Sequence, residues 1–191
     1  VSKGNSEITS SISDPPGGIL IQIIILVELI TFGAFMIIMA YYSKNDAQLF
    51  SESAKQLPFF TPIINTFFLI TSGFFSALSL ENLKKGNLSL HIKYYSIAIA
   101  FGVGFLLVKT FEFILATKTG HGFGVNTFFN FYWMLTGFHY LHVLIGWIIL
   151  VMIKPKAEQI INEEQLENLD AAAAFWHFCD LVWVLLFPTV Y

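Results

Sequence analysis

Seven ionisable side chains lie inside long apolar stretches of the sequence, where they could do chemistry and must at least be paired. His177 and Asp180 are three residues apart within the apolar stretch 175–191, so on a helix they face nearly the same way. The residues around them are apolar enough to face lipid, and a carboxylate exposed to hydrocarbon costs several kcal/mol. We therefore expect this pair to face protein. The full set is Glu28, Lys109, Glu112, His139, His142, His177 and Asp180.

Three kinds of chemistry could use such residues. A di-metal carboxylate site would need a Glu-x-x-His pair on each of two helices, and the sequence contains no such pair. A bis-histidine haem site could use His139 or His142 together with His177. Gly137 and Gly146 would admit a flat macrocycle there, but they equally permit close helix packing.

A proton or ion path would string the charges across a bilayer. The sequence favours a fourth interpretation, a satisfied polar network that fixes the rotation of packed helices.

Composition narrows the class of protein to an integral membrane domain. The chain has 191 residues, of which 55% are hydrophobic and 12% charged, and its mean hydropathy is +0.68. That is too apolar for a soluble domain of this size. The ten basic residues are all lysines, the net charge is only −3, and no basic face recurs, which excludes nucleic acid as a partner. The single cysteine, Cys179, excludes a disulfide framework within the chain.

Five apolar runs are long enough to cross a bilayer as helices. Each run has about twenty or more residues and is bounded by proline, glycine or charged residues. The sequence therefore predicts an all-α bundle of five transmembrane helices over residues 19–191, preceded by a polar, mobile segment 1–18. The acidic connection 154–170 could hold a short surface helix. The predicted spans are 19–43, 58–80, 92–117, 125–153 and 171–191.

Lysines predict the orientation of the bundle. One side holds the N-terminus and the loops 81–91 and 154–170, and it carries more lysines than the other side. Because lysine excess marks the cytoplasmic side, we predict a cytoplasmic N-terminus and a C-terminus outside. No repeat and no inverted symmetry is visible, which disfavours a small ion or solute transporter.

Depth along the predicted helices sorts the ionisable residues into two groups. Glu28, His142, His177 and Asp180 lie roughly 10 to 16 Å from the cytoplasmic ends of their spans, at about 1.5 Å per residue. They would form one layer if all four faced inward. The remaining three, Lys109, Glu112 and His139, fall nearer the outer half, where the lysine and glutamate can pair within one helix.

Tyrosines cluster near the ends of the predicted spans. Amphipathic aromatic rings anchor helices at the headgroup level, so we expect these tyrosines at the membrane surface. They are Tyr41, Tyr42, Tyr94, Tyr95 and Tyr191.

Five separate stretches together resemble subunit III of the haem-copper oxidases. TGFHYLHVLIG at 136–146 and WHFCDLVW at 176–183 are similar to the two histidine motifs of that family. NTFFLITSG at 65–73, VELITFGAF at 27–35 and FEF at 111–113 resemble three further motifs, and the order holds along the chain from residue 19. The residues expected to serve packing or lipid contact are Asn65, Ser72, Gly73, Gly137, Gly146, Trp176 and Trp183.

The resemblance implies an accessory subunit of the five-helix form. Such a subunit would carry no redox centre, since haem and copper lie in partner subunits, and it would pack on the catalytic subunit I and bind phospholipid in a bacterial-type inner membrane. The five-helix form includes oxygen reductase subunits and the related nitric oxide reductase accessory protein. Lys109, three residues before Glu112, favours the nitric oxide reductase branch. A membrane b-type cytochrome using His139, His142 or His177 is the alternative from another class.

Overall fold

The computed structural model describes residues 18–154 and 163–191. Most of the predicted N-terminal segment and part of the acidic connection therefore lie outside the described residues. The described part contains six α-helices: α1 (Gly18–Asn45), α2 (Ala47–Ala54), α3 (Phe60–Lys84), α4 (Leu88–Lys118), α5 (Thr127–Met152) and α6 (Glu163–Val190). Five of them, all but α2, are long and apolar enough to cross a membrane. The prediction of an all-α membrane protein with five spans is confirmed.

Polar residues at the helix starts explain several of the boundaries. The side chains of Asp46, Asn87 and Asn126 accept hydrogen bonds from the backbone N–H three residues later, at 3.3, 3.2 and 2.8 Å. These caps satisfy amide groups that the first helical turn leaves free. Asn87 follows Gly86, whose φ of 76° is a left-handed conformation that suits glycine. Only residues 85–87 separate α3 from α4, so the turn between the two helices is very short.

Three elements differ from the sequence-based prediction. The short helix α2 lies between the first two spans, where no helix was predicted. Helix α4 begins at Leu88, so the predicted loop residue His91 lies in its first turn. Helix α6 begins at Glu163, so the later part of the predicted surface helix is instead the start of the fifth spanning helix.

Helix α6 lies at the centre of the bundle and packs against α1, α3 and α5. Its inner face is fully buried and consists of Trp176, Cys179, Val182, Trp183 and Leu186. Helices α3 and α4 form the most extensive pair. Helix α1 lies at the periphery, since only Phe32 and Met39 of its residues are buried.

Small residues allow large rings to enter the helix contacts. A Cβ on Gly102 would lie 3.0 Å from Trp176, and one on Gly146 would lie 3.1 Å from the same ring. Without a strong hydrophobic force between helices in lipid, such close packing is a main source of their association. Trp176 therefore holds α6 against α4 and α5.

Each end of the bundle is held by a contact between its elements. Lys84 at the end of α3 forms an ion pair of 3.0 Å with Asp170 near the start of α6. Phe50 of α2 packs edge-on against Phe128 of α5 at 5.6 Å. The short helix α2 thus covers the end of the bundle at which α5 begins.

Candidate polar site within the helical bundle

The most deeply buried polar group is an ion pair within α4. Lys109 Nζ lies 2.7 Å from Glu112 Oε1, and both side chains have no exposed surface. The Tyr132 hydroxyl of α5 and the Tyr191 hydroxyl after α6 both donate to the same oxygen, at 2.7 and 2.5 Å. The Lys109 ammonium also contacts the Tyr191 hydroxyl. Three parts of the fold therefore converge on one carboxylate.

Aromatic rings surround the Lys109 ammonium. Its nitrogen lies 4.9 Å from the ring centre of Phe113, 5.1 Å from that of Tyr132, 5.4 Å from that of Trp183 and 5.2 Å from that of Tyr191. The negative faces of aromatic rings attract a cation, and more strongly where water is excluded. This arrangement stabilises a buried lysine that the Glu112 carboxylate already neutralises.

His139 lies beside this cluster without a hydrogen bond to it. The imidazole is 1% exposed, stacks on Trp183 at 5.4 Å between ring centres, and meets the edge of Phe105 at 5.9 Å. Neither ring nitrogen has a hydrogen-bond partner among the described residues. The predicted outer group thus divides into a bonded Lys109–Glu112 pair and a histidine held by aromatic packing.

Glu28 and His142 pair across the contact between α1 and α5. Glu28 Oε2 lies 3.4 Å from His142 Nε2. His142 Nδ1 lies 2.8 Å from the Phe138 carbonyl oxygen, to which it donates. A neutral ring therefore presents an acceptor to Glu28, so a hydrogen bond between the two requires a further proton on either group.

His177 and Asp180 form a separate pair on α6. Their Nδ1 and Oδ2 atoms are 3.3 Å apart, and the side chains are 44% and 16% exposed. The Asp180 carboxylate packs against Gly73 of α3, since a Cβ at that glycine would overlap it. The predicted inner layer of four groups is thus two pairs on different helix contacts, and no hydrogen bond between described residues joins them. The rotation of α6 about its axis explains this separation, because it turns His177 outward from the bundle and away from Glu28 and His142.

Several predicted packing residues of α3 and α6 meet in the core. Trp176 Nε1 donates to Ser72 Oγ at 3.1 Å, and Ser72 Oγ donates to the Ala98 carbonyl of α4 at 2.6 Å. Trp183 Nε1 donates to Thr66 Oγ1 at 2.9 Å. These bonds fix α6 against α3 and α3 against α4.

Two other predicted packing residues behave differently. Asn65 is fully buried, and its amide has no hydrogen-bond partner among the described residues. Gly137 has no atom within 4 Å of the position where a Cβ would lie, so close helix packing does not explain this glycine.

Several polar contacts were missed at the level of sequence. His91 is 1% exposed, and its Nδ1 lies 2.8 Å from Ser79 Oγ of α3. Tyr95 was predicted at the membrane surface, but it is buried and donates to the Leu150 carbonyl of α5 at 3.0 Å. Tyr191 was predicted there too and instead binds Glu112. The cap at Asn87 was the one local signal that placed His91 on a helix.

The histidines are poorly arranged for metal or haem ligation. Within residues 18–154 and 163–191, no group of three or more His, Cys, Asp or Glu side chains could hold a metal ion. Both nitrogens of His142 already face protein atoms, and aromatic rings enclose His139. A bis-histidine haem site would require these contacts to be broken.

The fold defines a multi-pass helical membrane protein with ionisable residues inside its spanning bundle. The family model described as cytochrome c oxidase subunit III matches residues 19–191. The chain belongs to the cytochrome c oxidase subunit III family.

Individual relatives agree with this family. Cytochrome c oxidase subunit 3 of Thermostichus vulcanus is 28% identical over 84% of this chain and 77% of that protein. Cytochrome c oxidase subunit 3 of Bacillus sp. (strain PS3) is 30% identical over 79% of this chain and 74% of that protein. Cytochrome c oxidase subunit 3 of Rhipicephalus sanguineus is 36% identical over 70% of this chain but only 51% of that protein, so the chain spans about half its length.

Proposed function

We propose that this chain is a non-catalytic accessory subunit of a respiratory haem-copper oxygen reductase complex, in which it stabilises the catalytic subunit. The observation that carries the proposal is that the most deeply buried charges inside the membrane span are paired with each other. Lys109 and Glu112 neutralise each other inside one helix and bind two tyrosines from elsewhere in the fold. Such a compensated pair fixes the positions of the helices that supply its partners.

The partners follow from the family and from the surface. Haem and copper would be held by partner subunits, above all by the haem-bearing catalytic subunit I. Large apolar side chains cover the outer faces of the helices; on α3, for example, Phe67 and Phe74 are 62% and 59% exposed. In a membrane such faces contact lipid or other helices. Structural phospholipid is the second expected partner.

Family membership also suggests the host complex and its membrane. The relatives described above are cytochrome c oxidase subunits, and two of them come from bacteria. These relatives support an oxygen reductase of a bacterial-type inner membrane as the host complex, and the lysine excess supports an N-terminus in the cytoplasm. Lys109, which favoured the nitric oxide reductase branch, is explained without it, because the lysine completes the buried cluster around Glu112.

Purification from the native membrane in mild detergent tests the proposal. The chain should be recovered with a multi-helix subunit whose optical spectrum shows haem. The interface between the two subunits should bury well above about 1,000 Å². Recovery as a stable, monodisperse protein without a haem-bearing partner would contradict the proposal. A haem band in the isolated chain would support the b-type cytochrome instead.

A further inference from the structure

The outward-facing His177 lies inside the apolar part of its membrane-spanning helix. Helix α6 runs from Glu163 to Val190, but its first two turns are charged and its apolar part begins at residue 171, so at about 1.5 Å per residue His177 lies roughly 9 Å inside that apolar part. Its side chain is 44% exposed. The hydrocarbon core of a bilayer is about 30 Å thick, so this imidazole lies at a depth where lipid offers no polar group.

The surface around His177 is otherwise apolar. Leu181, Val184 and Leu185 follow it at helical spacing and are 48%, 46% and 43% exposed. On the neighbouring helix α3, Ile70 and Phe74 lie on either side of the glycine that touches Asp180, and they are 49% and 59% exposed. We call these six residues the His177 face: His177, Leu181, Val184, Leu185, Ile70 and Phe74.

Asp180 determines what the imidazole offers to a neighbour. The carboxylate accepts from His177 Nδ1 at 3.3 Å and is itself mostly buried against α3. With the proton of a neutral ring on Nδ1, the free Nε2 is a hydrogen-bond acceptor. This nitrogen has no hydrogen-bond partner among the described residues. A polar atom left unpaired at this depth is costly, so its partner must come from outside the described chain.

We propose that the His177 face is an intramembrane docking surface for a transmembrane helix of another subunit, which presents an O–H or N–H donor to His177 Nε2. The inference rests on the proposed function, because it takes the partner from the oxidase complex. It goes further in assigning the face and the chemistry of the contact.

Two other occupants fit this surface less well. Acyl chains would cover the leucines and phenylalanine, but they carry no donor, and headgroups lie near the ends of the helix. A second copy related by a two-fold axis would bring the same face against itself. That face offers only apolar side chains and an imidazole acceptor, so two copies would leave both acceptors unpaired.

Photo-crosslinking in the full chain tests the proposal. A photoreactive amino acid replaces Leu181 in the native membrane, with Leu107 as the matched control, because it is a leucine on α4 and is 66% exposed. Cross-links from position 181, but not from 107, should join the chain to a transmembrane helix of another subunit. Cross-links from 181 only to lipid or to a second copy would overturn the proposal.

Substitution of the histidine tests the polar contact. His177→Leu should weaken retention of the chain in detergent about threefold to thirtyfold, the range for one hydrogen bond between membrane helices. Val184→Leu keeps the face apolar and should change retention less than twofold by the same reasoning. Unchanged retention of His177→Leu would overturn the hydrogen bond.

The two proposals fail in distinguishable ways. If the chain is recovered with the haem-bearing complex but cross-links to it from position 107, only the assignment of the face is wrong. If no haem-bearing complex is recovered with the unmodified chain, the accessory function itself is wrong, and the docking surface falls with it.

Discussion

Replacement of Glu112 by glutamine should strongly destabilise the bundle. Glutamine keeps the shape of the side chain and an oxygen that accepts from Tyr132 and Tyr191, but it removes the negative charge beside Lys109. Because Lys109 has no exposed surface, its ammonium would be left buried without a counter-ion. The loss of one partner of a buried pair costs about 3 to 5 kcal/mol.

The magnitude follows from what each variant leaves behind. Because the hydrogen bonds from the two tyrosines are kept, we expect Glu112→Gln to cost about 3 kcal/mol, the lower end of that range. This cost raises the equilibrium constant for unfolding roughly a hundredfold. The double variant Lys109→Met, Glu112→Gln removes both charges and keeps an acceptor for the tyrosines. We expect it to lie within about 1 kcal/mol of the parent protein, since a buried pair adds little over apolar packing.

Unfolding by SDS in mild detergent, followed by tryptophan fluorescence, measures these free energies. The exposed pair of Glu81 and Lys85 is the matched control, because its side chains are 54% and 67% exposed at a separation of 2.5 Å. Glu81→Gln should cost no more than about 1 kcal/mol there. Equal destabilisation in Glu112→Gln and in the double variant would refute the reasoning, since Glu112 would then act independently of Lys109.

Three further predictions concern the helix contacts. Gly73→Ala should separate α3 from α6, because the added Cβ would overlap the Asp180 carboxylate. Gly137→Ala is the control, since its Cβ would meet no atom within 4 Å and should be tolerated. The thermal stability of the two variants checks this prediction. Asp180→Ala should reduce retention of the chain without moving the haem bands of the complex, and a shifted optical spectrum would contradict a packing role. Tyr95→Phe should cost about 1 kcal/mol, the value of its bond to the Leu150 carbonyl, and an unchanged free energy of unfolding would argue against that bond.

The number of spanning helices and one ion pair could be predicted from the sequence. A segment that crosses a bilayer must satisfy its backbone hydrogen bonds within itself, so length and apolarity alone identify a spanning helix. The pair Lys109 and Glu112 was predictable because residues three apart on one helix are neighbours wherever the helix packs. Both properties are local.

The contacts between helices could not be predicted, because they depend on the rotation of each helix about its axis. Tyr191 is 79 residues from Glu112 and binds it only because the end of α6 returns to α4. Apolar faces in lipid give little preference for one rotation over another, so small residues and polar contacts determine it. For that reason His142 pairs with Glu28 on α1, whereas His177 faces outward from α6. The local pattern determined which segments cross the membrane and which charges can pair within them, and tertiary packing alone decided which side chains meet across the bundle.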